Sequence, residues 1–135
     1  MARWIGLDLG QTRTGIAVTD REGIIASPLE TVTTSQLIER LKSLIAQEPC
    51  AGLVLGHPGP SADSTPLVEQ WIDKLKKTFP GRKLVLIDEQ NTSREARMAM
   101  VMGGMPKKKR AQKGEMDKVA AAIILQRFLA SDSPR

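Results

Sequence analysis

Arg3-Trp4-Ile5-Gly6-Leu7-Asp8-Leu9-Gly10 is the stretch whose reading decides the fold. Trp4, Ile5, Leu7 and Leu9 make it apolar enough to lie in the middle of a sheet. Asp8 interrupts it, and a charge on a central strand is costly unless a cation or hydrogen-bond donors surround it. Gly10 follows at once and Gly15 soon after, so the backbone turns tightly and the space beside Asp8 stays open. An acid placed this way is suited to holding a metal ion or a phosphate. The plainer alternative is an Asp that caps the turn, since turns favour both residue types.

Working outward from this strand, the chain alternates. Gln11–Arg13 reads as a turn and Thr14–Thr19 as a second, β-branched strand. Asp20-Arg21-Glu22-Gly23 reads as a hairpin turn and Ile24–Leu29 as a third strand, completing an antiparallel meander. Leu37, Ile38, Leu41, Leu44 and Ile45 recur at helical spacing over Ser35–Gln47, which Pro49 stops. Gly52–Leu55 is a short apolar strand, and Gly56–Ser64 a Gly/Pro/Ser loop. Thr65-Pro66 opens a helix with Leu67, Val68, Trp71, Ile72 and Leu75 on one face. Lys83–Ile87 is a fifth strand ending in Asp88-Glu89. Thr92-Ser93-Arg94-Glu95 fits a capping box for a helix to about Met102. Met105–Gly114 reads as a polar, basic, mobile loop, and Glu115–Ala130 as the last helix. The order β-β-β-α-β-α-β-α-α predicts a mixed α/β sheet with helices on its faces. Strand four should lie beside strand one, which sets the turn after Gly56 next to Asp8.

The 135 residues suffice for one domain with a real core, and 41% are apolar. No apolar run reaches the length of a membrane span, and the N-terminus lacks the order of a signal peptide, so a cytoplasmic protein without membrane contact is expected. Cys50 is the single cysteine; it fits a reducing compartment and reads as a packed thiol rather than a nucleophile. The net charge of +5 is uneven: nine of the 20 Lys/Arg but three of the 15 Asp/Glu fall after residue 95. A basic segment on a near-neutral body predicts a polyanionic partner. Aromatic residues are 3% and Tyr is absent, so base stacking on aromatic platforms is not expected, and nucleic-acid contact should be mainly to phosphates.

Asp8 has candidate partners. Asp117, Ala120, Ala121, Ile124 and Phe128 share one side of the last helix, so Asp117 heads an otherwise apolar, sheet-facing stripe. Its small neighbours Ala120, Ala121 and Ala122 allow close approach to the sheet. An acid serving only the helix dipole is the blander reading, and it suits an exposed position better than a packed one. Asp88 and Glu89 close strand five, at the edge where α/β sheets collect their sites, and alternation sends one of them toward the site and one away.

These residues carry a resemblance. Asp8-Leu9-Gly10 with Arg13, Gly15 and Ala17 resembles the opening of the YqgF/RuvX family, itself similar to a reduced Holliday-junction resolvase. Gly56-His57-Pro58 with Asp63, then Asp88-Glu89-Gln90 with Thr92 and Glu95-Ala96, then Lys113-Gly114-Glu115-Met116-Asp117 through Leu125 match the family's later marks in order. The resemblance covers nearly the whole chain. It implies a single RNase H-like nuclease domain over residues 1–135 and a trio of acids, Asp8, Glu89 and Asp117. Two departures stand out: the family's Arg after Asp-Glu is Gln90 here, and its apolar residue between Gly and Pro is His57. Losing that Arg removes a phosphate contact. His57 is an accessory candidate for phosphate contact or proton transfer, as Asp88 is for the acid site.

Three carboxylates in one cleft raise one another's pKa when no cation is present. Oxygen-only ligands suit Mg²⁺ or Mn²⁺ rather than zinc, and such ions activate water and stabilise the leaving oxygen of a phosphodiester. Arg13, Lys107, Lys108, Lys109, Arg110 and Lys113 are the candidates for phosphate binding. The expected function is a metal-dependent endonuclease on structured RNA, and the resemblance implies trimming of pre-16S ribosomal RNA. The alternatives are resolution of branched, four-way DNA junctions by a homodimer, and nucleic-acid binding with weak or no catalysis. A monomer and a homodimer both remain open. An actin-like phosphotransferase shares the Asp-x-Gly turn, but it needs two domains around its nucleotide, and 135 residues are too few.

Overall fold

The structure is a computed structural model, and residues 2–59, 62–112 and 114–131 are described. Among these, five strands form one mixed sheet: β1 (Arg3–Leu9), β2 (Arg13–Thr19), β3 (Ala26–Thr33), β4 (Cys50–His57) and β5 (Lys83–Asp88). Their spatial order is β3-β2-β1-β4-β5. The first three make the antiparallel meander. β4 runs parallel to β1, and β5 parallel to β4. The expected α/β class, with a three-strand meander plus two parallel strands, is what the sheet shows.

The helices are α1 (Leu37–Gln47), α2 (Thr65–Thr78), α3 (Thr92–Met102), α4 (Lys107–Arg110) and α5 (Glu115–Ala130). Strand alternation sorts the sheet's side chains into two cores. Ile5, Leu7 and Leu9 of β1 and Leu53 and Leu55 of β4 pack with Leu37, Leu41 and Leu44 of α1 and Val68 and Leu75 of α2. Trp4, Ala17 and Val54 face the other way and pack under Ile124, Leu125 and Phe128 of α5. The Trp4 and Phe128 rings meet at 4.6 Å, tilted by 51°, a favourable aromatic geometry. Asp8 shares the parity of Trp4, which puts it on the α5 side.

Several details differ from the sequence reading; β4 extends over Cys50–His57, beyond the Gly52–Leu55 expected, and takes in Gly56 and His57 from the expected loop. β3 begins at Ala26 rather than Ile24 and runs on to Thr33. The Asp20 Oδ1 accepts the N–H groups of Ile24 and Ile25 at 2.7 and 3.1 Å, so the hairpin turn absorbs these residues and leaves their side chains exposed. The Met105–Gly114 loop contains the short helix α4, built from the basic run itself. The capping box at Thr92 does not form. Asn91, at φ +66°, precedes the helix without a side-chain cap, and the Glu95 carboxylate is taken instead by Arg127 Nη2 at 2.7 Å. Cys50 is the buried, packed thiol expected, with burial raising its pKa and Sγ donating to the Gly52 carbonyl at 3.3 Å. No helix among the described residues is long and apolar enough to cross a membrane.

Candidate active site

Three elements that are distant in sequence meet at one edge of the sheet. Asp8 lies near the end of β1, opposite Gly15 of β2. Gly15 is where α5 touches the sheet: a Cβ there would stand 1.9 Å from the Asp117 carbonyl oxygen. Only a residue without a side chain lets the first turn of α5 come this close. On the other flank, Glu89 follows directly on β5, its N–H donating to the His57 carbonyl at 3.1 Å. A Cβ on Gly56 would lie 2.8 Å from Glu89 Oε2 and 2.6 Å from Ile124 Cδ1. Two bare positions on β2 and β4 thus leave room for the two acids that flank Asp8.

The electrostatics follow from this crowding. Asp8 is pushed up to about 8, first by burial, then by the Glu89 charge and a hydrogen bond shared with the Glu89 carboxylate, and last by the Asp117 charge. Burial also raises the Glu89 pKa; the hydrogen bond from Asp8 and the nearby His57 pull it back, and Asp88 pushes it further up. The two carboxyls therefore favour sharing a proton over both being ionised. Asp88 points away: it is exposed, and its Oδ1 accepts the Gln90 N–H at 2.9 Å.

Asp117 is the third neighbour, and its carboxylate is already engaged. Arg13 Nε donates to Asp117 Oδ2 at 2.8 Å. Arg13, singled out in the sequence for phosphates, is thus paired with an acid in the structure. Among the described residues no group of three or more His, Cys, Asp or Glu side chains is arranged to hold a metal ion as placed. The donor set nonetheless has the right chemistry for a hard cation, being all carboxylate oxygen. Asp8 and Glu89 are already in mutual contact, while Arg13 draws Asp117 aside.

His57 closes β4 beside this group. Its Nδ1 accepts the Gly59 N–H at 3.1 Å, which leaves the proton on Nε2, 3.7 Å from Glu69 Oε1. Lys107, Lys108 and Lys109 are exposed on α4 and Arg110 is half-buried, just ahead of the helix that carries Asp117. Lys113 lies outside the described residues.

Two supports have no counterpart in the sequence reading. Arg127, on α5, donates to the Asp88 carbonyl at 2.7 Å, to the Gln90 carbonyl at 3.0 Å and to Glu95, so it staples the turn containing Glu89. Thr31 Oγ1 donates to the Gly114 carbonyl at 2.6 Å and ties the start of α5 to β3. Nothing local in the sequence marks either interaction; the positive φ of Gly114, +89°, explains why a glycine stands there.

The chain matches the RuvX family, described as Holliday junction resolvase, over residues 2–131. A protein of Flavobacterium johnsoniae named "Putative pre-16S rRNA nuclease" is 38% identical over 135 residues, 97% of this chain and 98% of its own length. A protein of the same name from Parabacteroides distasonis is 39% identical over 136 residues, 97% of this chain and 96% of its own. Among solved structures, Thermus thermophilus RuvC in complex with a Holliday junction substrate aligns with a TM-score of 0.60 at 14% identity, over 96% of this chain and 94% of that one. At that identity the likeness speaks for the fold, which is RNase H-like. With the match spanning nearly all of the chain and near-full-length relatives at this level of identity, the protein belongs to the RuvX family of Holliday junction resolvases, a nuclease family.

Proposed function

We propose that the protein is a metal-dependent endonuclease acting on structured RNA in the cytoplasm, with 5′-end trimming of pre-16S ribosomal RNA as its task. One observation supports the reading: Asp8 and Glu89, carboxylates from β1 and the end of β5, are in mutual contact, and the Asp117 charge is also felt at Asp8. A site that only bound phosphates would not gather acids, since they repel the same ligand. The names of the full-length relatives support the RNA substrate.

Asp8, Glu89 and Asp117 are the residues that would hold Mg²⁺ or Mn²⁺. Such an ion, when bound, supplies a water of lowered pKa and positive charge against the leaving oxygen. The chain's own residues do the rest. Asp8 gives up the proton it shares with Glu89, so both present charged oxygens. Arg13 exchanges Asp117 for a phosphate oxygen of the strand, a bidentate partner its planar guanidinium suits. Lys107, Lys108, Lys109, Arg110 and Lys113 hold flanking phosphates and fix the strand's register. His57, with Nε2 protonated, stands at the end of β4 close enough for its charge to act on Glu89, and serves as an accessory contact.

Resolution of four-way DNA junctions is the second reading, favoured by the description of the family and by the junction-bound RuvC neighbour. The deciding experiment is cleavage of matched RNA and junction-DNA substrates with Mg²⁺ and with Mn²⁺, wild type beside Asp8→Asn. Metal-dependent cutting of the RNA alone, lost in the variant, is the expected result. Cutting of DNA junctions alone makes the second reading correct, and binding with no cutting of either makes the protein a binding module.

A further inference from the structure

The turn from β1 to β2 and the first turns of α2 enclose a cavity of about 410 Å³. Leu9 and Leu67 form its apolar walls, and Gln11, Asp63, Ser64 and Gln70 its polar rim. Leu9 adjoins Asp8 on β1 but faces the opposite side of the sheet, toward α2. The cavity therefore opens at the same strand edge as the acids, on the other face.

Its rim is held in place. Thr34 Oγ1 donates to the Gly10 carbonyl at 2.6 Å, and the Thr34 N–H to the Thr12 carbonyl at 2.9 Å, which fixes the turn that presents Gln11. Thr65 Oγ1 donates to the Gly59 carbonyl, and the Val68 N–H to the Ser64 carbonyl at 3.2 Å, which anchors the start of α2.

The chemistry of the lining selects its occupant. Among the described residues no Lys or Arg lines the cavity and Asp63 does, so it repels phosphate. Two leucine walls with amides and a carboxylate at the rim suit a flat heterocycle that carries hydrogen-bond donors. The volume falls in the range of about 300–1,000 Å³ usual for small-ligand sites. A carboxylate accepts from an exocyclic amino group, and glutamine amides pair with base edges.

We propose that this cavity receives an unpaired nucleobase of the bound strand, close to the phosphate at the acids, and prefers a base with an exocyclic amino group (cytosine, adenine or guanine) over uracil. The base lies between Leu9 and Leu67 and turns its amino group to Asp63. This rests on the nuclease reading and adds to it a source of sequence preference that does not depend on aromatic stacking.

The test uses the full-length Asp8→Asn protein, so that substrate is not consumed, and RNA hairpins with an all-uridine single-stranded overhang. Cytosine, adenine or guanine is introduced at one overhang position at a time. The expected result is affinity roughly tenfold higher at one position for all three bases. Adding Asp63→Asn should abolish that preference while leaving the all-uridine affinity, its salt dependence and the melting temperature unchanged; Gln70→Ala should weaken it. Equal affinity for all four bases at every position, or a preference that survives Asp63→Asn, overturns the base site. Wild-type cleavage of RNA in the same preparation then leaves the nuclease reading standing. Failure of wild type to cut and of Asp8→Asn to bind any hairpin overturns both.

Discussion

Replacing Asp8 with Asn should stabilise the metal-free protein, and by an amount that depends on pH. In the folded chain the Asp8 carboxyl is raised from 3.8 to about 8. The folded state therefore keeps a proton that the unfolded state has released, and stability falls as pH rises. The loss begins near pH 4, where the unfolded carboxyl ionises, and is complete above pH 8, where the folded one does. At about 1.4 kcal/mol per unit, the full span is worth roughly 5–6 kcal/mol, and roughly 4 kcal/mol at pH 7. Water access to a half-buried site and sharing of the proton with Glu89 reduce this to roughly 2–4 kcal/mol. Asparagine has nearly the same shape and can still donate to Glu89, so it removes the charge without opening a cavity. For 135 residues, an unfolding entropy of about 2.1 cal/mol/K per residue converts each kcal/mol into roughly 3–4 °C. Thermal melts in a chelating buffer at pH 5, 7 and 9 should place the variant roughly 7–14 °C above wild type at pH 9, with a gap that narrows toward pH 5. Millimolar Mg²⁺ should raise the wild type and not the variant, because a ligand that binds only the folded state stabilises it. A variant that melts below wild type at pH 9, or a gap that does not change with pH, refutes the reasoning and makes Asp8 a structural residue.

Gly15→Ala forces a Cβ against the Asp117 carbonyl, backbone against backbone; it should cost at least about 3 kcal/mol, read as a fall in melting temperature on the order of 10 °C, with cleavage abolished in any protein that still folds. Arg127→Ala removes two hydrogen bonds from the turn that carries Glu89 and a third from Glu95 of α3; stability should drop by about 1–2 kcal/mol, and kcat should fall severalfold more than RNA affinity does. Replacing Lys107, Lys108, Lys109 and Arg110 with Ser should weaken RNA and DNA binding about equally. It should also flatten log affinity against log salt by roughly 0.7–0.9 for each phosphate no longer neutralised, with little change in cleavage at saturating substrate.

Much of the architecture is legible in the sequence because two periodicities carry it. Alternation along Arg3–Leu9 assigns Asp8 to one face, and the i, i+3, i+4 stripe of the last helix assigns Asp117 to the side that meets it. The glycines are legible in kind: Gly15 reads as leaving space beside Asp8, and the structure fills that space with the backbone of α5 rather than with a ligand. What escapes the sequence depends on interactions with no local signature. The start of β3 is set by one carboxylate, Asp20, which outweighs the β-branching of Ile24 and Ile25. The basic run folds into a turn of helix although its composition reads as solvated loop. Arg13 reads as free for phosphate, but its partner Asp117 lies 104 residues away, beyond any pattern of spacing. The staple by Arg127 spans 37 to 39 residues to the turn it holds, and the same Arg diverts Glu95 from the cap its position promises.

The placement of the third acid on α5 has a consequence in time. Asp8 is among the first residues synthesised, Glu89 follows when two thirds of the chain exist, and Asp117 arrives on the last helix. Until α5 has emerged and settled onto β1, β2 and β3, the sheet has one bare face, and Gly6 and Gly15 have nothing against them. A growing chain can therefore fold its meander without holding a complete set of acids. In the proposed site the three acids can meet only once α5 has been added, so folding of the meander and assembly of the site are separate events.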